Sequence, residues 1–457
     1  MPYPNGESRS SARNIFSARK ALNVNKRFMA NNRQRHISVR GFNLVAVGFL
    51  GLLYCISSAG QQTRAQSEWK FWFASSEPKP GFLVVSPNQV FNRTNGYGFE
   101  LLGKEPIPRG IRIFSVAVPE GNYNVTATLG DAEAESISTI KAESRRLMVE
   151  NARTRSGRFS NITFTVNVRT ARIAGGGEVR LKPRELGPPM VLHWDDKLTL
   201  EFNGHRPRVR ALEIHRVDDA ITVFLAGDST VTDQPHEPWN SWGQMLPRFF
   251  KPGVAIANHA ESGESLPSFL NGRRLDKILG DMKTGDYLLI QFGHNDQKDK
   301  RPNAGPYTTY KTNLLHLIAE VRKRGGIPVL VTPMHRLRFD STGAITNTLG
   351  DFPDAVRQTA REANIPLIDL NQMSKVFYEA LGPQKCKFAF QDGTHHNNYG
   401  SYELAKCVME GIKANHLALA RFISDDVPPF DPAHPDPVEK FSVPASPMSS
   451  EDKPDGN

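Results

Sequence analysis

Five short apolar runs constrain this chain more than any other feature. "ITVFLA" begins at Ile221, "VAIAN" at Val254, "DYLLIQF" at Asp286, "IPVLVT" at Ile327 and "IPLIDL" at Ile365. Each is too short for a buried helix and too evenly apolar for a strand with one wet face. Between them lie helix-like segments such as "YKTNLLHLIAEVRKRGG" (Tyr310 to Gly326), which closes with cations and glycine as a helix end should. Strands that alternate with helices predict a parallel sheet covered on both faces.

The rhythm ahead of these runs is different. From Trp69 to about Val217, segments such as "IFSVAV", "YNVTATLG", "FTVNVR" and "KLTLEF" alternate or are rich in β-branched and aromatic residues, and "PEGNY" at Pro119 is a hairpin break. No helical period interrupts them, so residues 66–218 are predicted to form a β-sandwich and residues 219–425 an α/β domain. From Val427 the chain carries eight prolines in 31 residues, which predicts an extended or disordered tail over 426–457.

The formal charge of +10 suggests nucleic acid until it is located. Residues 1–40 hold nine Lys/Arg against the single acid Glu7, whereas from Gln66 onward there are 47 basic and 46 acidic residues. A nearly neutral body has no electrostatic reason to hold phosphate backbones, so nucleic acid is excluded as a partner. The basic segment leads into "LVAVGFLGLLYCI" (Leu44 to Ile56), thirteen uncharged residues. That length suits a signal-peptide core, whereas crossing a bilayer takes about 20 residues. Residues 1–65 are therefore expected to direct export to the periplasm or the medium; the membrane becomes a partner only if the leader stays uncleaved. Outside the leader, Cys386 and Cys407 either pair or stay as buried thiols.

The polar residues that follow the apolar runs carry the chemistry. "GDST" (Gly227 to Thr230) ends the first run, "NHAESGES" (Asn258 to Ser265) the second and "FGHNDQ" (Phe292 to Gln297) the third, and "QDGTHHNNYG" (Gln391 to Gly400) precedes the last helix. Taken singly, each reads as a turn or a helix cap. Together they supply the parts of an acyl-transfer site: Ser229 as nucleophile, His395 as base, Asp392 to orient the imidazole, and an oxyanion hole from the Ser229 and Gly263 backbone N–H groups and the Asn295 amide. The elbow G-x-S-x-G is absent, which argues against the usual α/β-hydrolase. Asp392, His395 and His396 are a conceivable metal site, but neither H-E-x-x-H nor a paired Cys-x-x-Cys accompanies them, and ester hydrolysis needs only triad, oxyanion hole and water, so no metal and no organic cofactor is expected.

The ordered set "GDS", Gly263, "GHND" and "D-G-T-H" resembles the four blocks of the SGNH (GDSL-type) hydrolases, with Ser229, Gly263, Asn295 and His395 as the four naming residues. Thr230 in place of leucine, His294, and "THHNNYG" resemble the rhamnogalacturonan acetylesterase branch. "GYGF" at Gly96 and "GNYNVTATLGD" at Gly121 resemble a galactose-binding-like β domain. The resemblance implies a flavodoxin-like parallel sheet with helices on both faces, preceded by the β-sandwich. It also implies removal of acetyl groups from an acetylated pectic polysaccharide or oligosaccharide. Such a substrate is polyanionic, and Arg336 and Arg338, which follow "IPVLVT", are candidates to meet its uronates in bidentate fashion, against the plainer reading of a solvated basic loop. Trp239 and Trp242 could form a sugar platform, but helix packing is the plainer reading. The competing functions are an SGNH lipase or arylesterase acting on other esters, and a polysaccharide-binding protein without catalysis.

Overall fold

The computed structural model describes residues 66–74, 77–101 and 111–455. The basic leader and its apolar segment lie outside the described residues. The alternating segments become β1 (Glu68–Trp72), β2 (Leu83–Val84), β3 (Tyr97–Phe99), β4 (Arg112–Ala117), β5 (Gly121–Leu129), β6 (Ser136–Ala142), β7 (Arg146–Thr154), β8 (Ser160–Val168), β9 (Lys197–Asn203) and β10 (Val209–Arg216). They form two five-stranded sheets, in the orders β2-β1-β10-β5-β8 and β3-β4-β9-β6-β7. The two-residue period does the sorting. In β5, Tyr123, Val125, Ala127 and Leu129 are buried, while Asn124, Thr126 and Thr128 face outward. Phe71 and Val125 from one sheet meet Phe114 and Leu200 from the other in a single apolar core, with Phe71 edge-on to Phe114 at 5.1 Å.

The apolar runs become β11 (Ile221–Gly227), β12 (Val254–Asn258), β13 (Tyr287–Gln291), β14 (Ile327–Val331) and β15 (Leu367–Ile368), all parallel, in the order β12-β11-β13-β14-β15. This is the flavodoxin-like order, and β11 lies at the point where the winding reverses. Successive side chains supply the two faces. Val223, Leu225, Ile256 and Leu289 pack with α1 (Trp242–Met245), α6 (Leu370–Lys385) and α7 (Asn398–Ala414). Phe224, Ala226, Ala257 and Ile290 pack with α2 (Leu266–Asn271), α3 (Arg274–Asp281), α4 (Lys311–Lys323) and α5 (Phe352–Ala363).

The sandwich and the α/β region share a core, because Leu147 of β7 belongs to the same apolar cluster as Val223 and Trp242. The β6–β7 turn is held with Glu143 at φ 55° and Arg145 at φ 64°. Left-handed backbone at a residue with a side chain costs about 1–3 kcal/mol and survives only where its surroundings over-determine it. Here the surroundings are buried ions: Arg145 Nη2 lies 2.6 Å from Glu237 Oε1, and Arg146 Nε lies 3.1 Å from Asp233 Oδ2. The proline-rich tail is extended as its composition predicts, and it is also tied down. Ser446 N donates to Glu237 Oε1 (2.8 Å), Glu237 N donates to the Met448 carbonyl (2.8 Å), and Val443 and Ser446 are buried. Cys386 and Cys407 are free, buried thiols.

Candidate active site

Four loops build the site, three of them directly following strands at the carboxyl edge of the sheet. The first follows β11. A Cβ on Gly227 would meet Val231 Cγ2 at 2.5 Å and the Gln291 carbonyl at 2.9 Å, so only glycine lets the chain turn this tightly beside β13. Asp228 is fully buried, and its Oδ1 accepts from Thr230 N (2.9 Å) and Thr230 Oγ1 (2.7 Å). Gln291 Nε2 donates to Thr230 Oγ1 (2.8 Å), and Gln234 Nε2 donates to the Ser229 carbonyl (2.7 Å). The serine is thus fixed from both neighbours. Burial raises the Asp228 pKa, but the charge and hydrogen bond of His294 and the bonds from Thr230 outweigh it and leave it lowered. His294 Nδ1 lies 3.3 Å from Asp228 Oδ2 and Nε2 lies 3.1 Å from the Met334 carbonyl, so the ring sits between the two acceptors.

The second loop precedes α7. Asp392 Oδ1 accepts from Thr394 N (2.6 Å) and His395 N (2.7 Å), which curls the loop around the carboxylate. Its Oδ2 meets His395 Nδ1 at 3.0 Å, and His395 Nε2 meets Ser229 Oγ at 2.8 Å. Burial pushes the Asp392 pKa up, yet the His395 ring and the two backbone donors prevail and hold it well below the usual carboxylate range. An ionised Asp392 keeps the proton on Nδ1, which leaves Nε2 to accept from the serine hydroxyl. His396 turns the other way: Nε2 lies 2.7 Å from Tyr378 Oη, its ring packs 4.1 Å from Phe390, and burial pushes its pKa down to about 3. Adjacent histidines thus face opposite sides of an extended backbone, as the register predicts.

Gly263 and Asn295 follow β12 and β13, the two strands that flank β11. Gly263 sits at φ 77°, a turn that favours glycine. Asn295 Nδ2 spends one hydrogen on the Glu264 carbonyl (3.0 Å), and its Oδ1 accepts from Lys298 Nζ (3.1 Å), which orients the amide. The second amide hydrogen is the one that could meet a developing oxyanion.

The two arginines part company. Arg336 is half-buried, with Nε donating to Thr394 Oγ1 (3.2 Å) and Nη2 to the His294 carbonyl (3.3 Å), so it braces the loops. Arg338 is exposed. Trp242 donates to Gln291 Oε1 (2.9 Å) from within the core, and Trp239 stands edge-on to His395 at 5.9 Å. Both tryptophans are buried, as packing residues are. Sequence reasoning missed Gln234 and Arg145; a glutamine five residues beyond the serine and an arginine in a distant hairpin carry no recognisable signal.

The GDSL-like lipase/acylhydrolase family matches residues 225–401, a span from β11 into α7. The rhamnogalacturonan acetylesterase RhgT of Bacillus subtilis (strain 168) is 44% identical over 216 residues, 44% of this chain and 92% of that protein. This chain belongs to the GDSL-like lipase/acylhydrolase family. As a GDSL-like acylhydrolase it is a carboxylic-ester hydrolase. The probable rhamnogalacturonan acetylesterase YesY of the same organism is 37% identical over 210 residues, 44% of this chain and 96% of that protein. The uncharacterized esterase YxiM, also of B. subtilis, is 25% identical over 404 residues, 82% of this chain and 98% of its own, so this likeness extends past the α/β region.

Proposed function

We propose that the protein is an exported serine acetylesterase that removes acetyl groups from pectic rhamnogalacturonan. The observation that carries the reading is the unbroken relay from Ser229 Oγ through His395 (2.8 Å) to Asp392 (3.0 Å) at the reversal point of the sheet. The names of RhgT and YesY support the substrate class, and the basic, apolar leader supports export.

In this reading Ser229 Oγ attacks the acetyl carbonyl as His395 Nε2 takes its proton. The oxyanion of the tetrahedral intermediate is met by the Ser229 and Gly263 backbone N–H groups and by the Asn295 amide. Collapse expels the sugar alkoxide, which leaves with the proton from His395. Water, deprotonated by the same ring, then attacks the acetyl-enzyme and restores Ser229 with release of acetate. Ester hydrolysis of this kind draws on water alone as co-reactant. Arg338, exposed beyond β14, is the cation offered to a uronate carboxylate.

The test is free acetate from acetylated rhamnogalacturonan and from acetylated xylan, with Ser229→Ala as the blank. The pectic polymer is expected to react faster and the blank to release nothing. Equal rates on both polymers would reduce the reading to a general carbohydrate acetylesterase. Faster cleavage of long-chain esters would replace it with a lipase-like activity. Export is checked by the N-terminal sequence of protein recovered outside the cytoplasm, which should begin at Gly60, after Ser57-Ser58-Ala59, or at Gln66, after Thr63-Arg64-Ala65.

A further inference from the structure

The sandwich reaches into the catalytic loops from behind. The β6–β7 turn carries Arg145 into the α/β region, where its side chain is 2% exposed. Its Nη1 donates to the carbonyls of Gln234 and Trp239, both at 2.9 Å, and Nη2 pairs with Glu237 and reaches Asn398 Oδ1 at 3.4 Å. These partners lead to both halves of the relay. Gln234 holds the Ser229 carbonyl (2.7 Å), and its own carbonyl also accepts from Gln244 Nε2 (2.9 Å), which donates as well to the carbonyl of Ser144 (2.7 Å), the neighbour of Arg145. Trp239 stands against the His395 ring, and Asn240 N donates to the His396 carbonyl (3.0 Å) while Asn240 Nδ2 donates to Asn398 (2.7 Å). One guanidinium therefore spans the segment after the serine and the segment around the histidine.

The backbone of the turn points the same way. A turn that had only to close would use glycine where φ is positive, yet Glu143 and Arg145 stand there. Glu143 Oε1 accepts from Thr199 N (3.0 Å), so the turn is clamped on the sandwich side while Arg145 is clamped on the other.

We propose that Arg145 is a positioning residue for ester hydrolysis, setting the separation of Ser229 and His395 from outside the α/β fold, so that the sandwich is a working part of the active site. The proposal rests on the reading of Ser229 and His395 as nucleophile and base. Misplacing a reacting group by about 1 Å costs on the order of 10²-fold in rate.

The full chain is assayed for p-nitrophenyl acetate turnover, for the rate at which a fluorophosphonate labels Ser229, and for Tm. Arg145→Ala is expected to lower kcat by about 10–100-fold with KM within about twofold, and to slow labelling by the same factor. Arg145→Lys keeps the positive charge beside Glu237 but cannot hold both carbonyls from one planar fork, so it should recover part of kcat. Val166→Ala, a cavity in the sandwich core, supplies a loss of Tm with kcat unchanged. Arg145→Ala with kcat and labelling within twofold of the wild type would overturn the proposal, as would a fall in kcat no larger than that of a cavity variant of matched Tm. Should Arg145→Ala not fold, Arg145→Lys decides: an unchanged kcat overturns the proposal, and a fall in kcat with slower labelling at constant KM upholds it. A wild-type chain that neither turns over ester nor takes the label at Ser229 overturns the esterase reading itself, and Arg145 with it, which a defect confined to the variants does not do.

Discussion

The front and the rear of the Ser229 loop are held by different forces. In front, hydrogen bonds among Asp228, Thr230 and Gln291 fix the residues on either side of Ser229, and His395 meets its hydroxyl. Behind, the grip comes from buried ions that cross from the sandwich: Arg145 to Glu237, Arg146 to Asp233 and Lys141 to Ser446 Oγ (2.7 Å). A hydrogen bond contributes about 1 kcal/mol, or about 1.5–3 kcal/mol where one partner is charged as at Asp228, whereas stranding one member of a buried ion pair costs about 3–5 kcal/mol. The front is therefore the part where chemistry fails before stability does, and the rear is the part where the two fail together.

The adjacent histidines break or sharpen this contrast most strongly. His395→Ala should lower kcat by on the order of 10⁶-fold with the fold intact, the loss typical of a base that works as a unit with its serine. His396→Ala should leave kcat within about threefold but lower Tm, because it strands the Tyr378 hydroxyl and opens a hole beside Phe390. Steady-state kinetics and thermal melts on both variants decide this, and the opposite pattern would move the base to His396.

Next in size is Asn295→Ala, expected to reduce kcat by about 10²–10³ with little change in KM, since an oxyanion donor acts mainly in the transition state. A loss confined to KM would make Asn295 a substrate contact instead.

The third test is a pH dependence of stability. Burial pushes His193, beside the junction, and His396 down to about 3, and His335 down to about 4. Unfolded histidines bind protons below about 6.5 while these folded ones do not, so stability is full above that pH and is lost as pH falls towards their folded values. Each contributes a slope of about 1.4 kcal/mol per pH unit inside its window. Urea midpoints between pH 7 and pH 4 should fall accordingly, and His193→Gln should flatten the curve. Midpoints that rise on acidification would contradict the burial of these rings as neutral groups.

What could be read from the sequence follows the same division. The front is spelled locally: each strand end is followed within a few residues by its polar group, and Asp392 and His395 are separated by one short turn. The parallel sheet was legible because strands buried on both faces read as short, almost wholly apolar runs. The rear was not legible. "KAESRR" at the β6–β7 turn reads as a solvated hairpin tip, and its partners at Asp233 to Trp239 lie about ninety residues away, beyond any periodic signal. Arg336 illustrates the converse. A cation just past a strand suggests a ligand contact, but its guanidinium is taken up by Thr394 and His294, which only the folded loops bring near. The tail shows composition predicting conformation without location: prolines made the chain extended, while Lys141 and Glu237 determined where it lies.

The two buried thiols have a consequence for oxidation. Desolvation pushes Cys386 up to about 12, and Cys407 still further, so both stay protonated thiols at neutral pH. Thiol–disulfide exchange begins with a thiolate that can reach its target, and these sulfurs have neither the charge nor the access. Once folded, the described part of the chain can meet an oxidising medium without acquiring cross-links, dimerising through sulfur or depending on a disulfide isomerase to correct it.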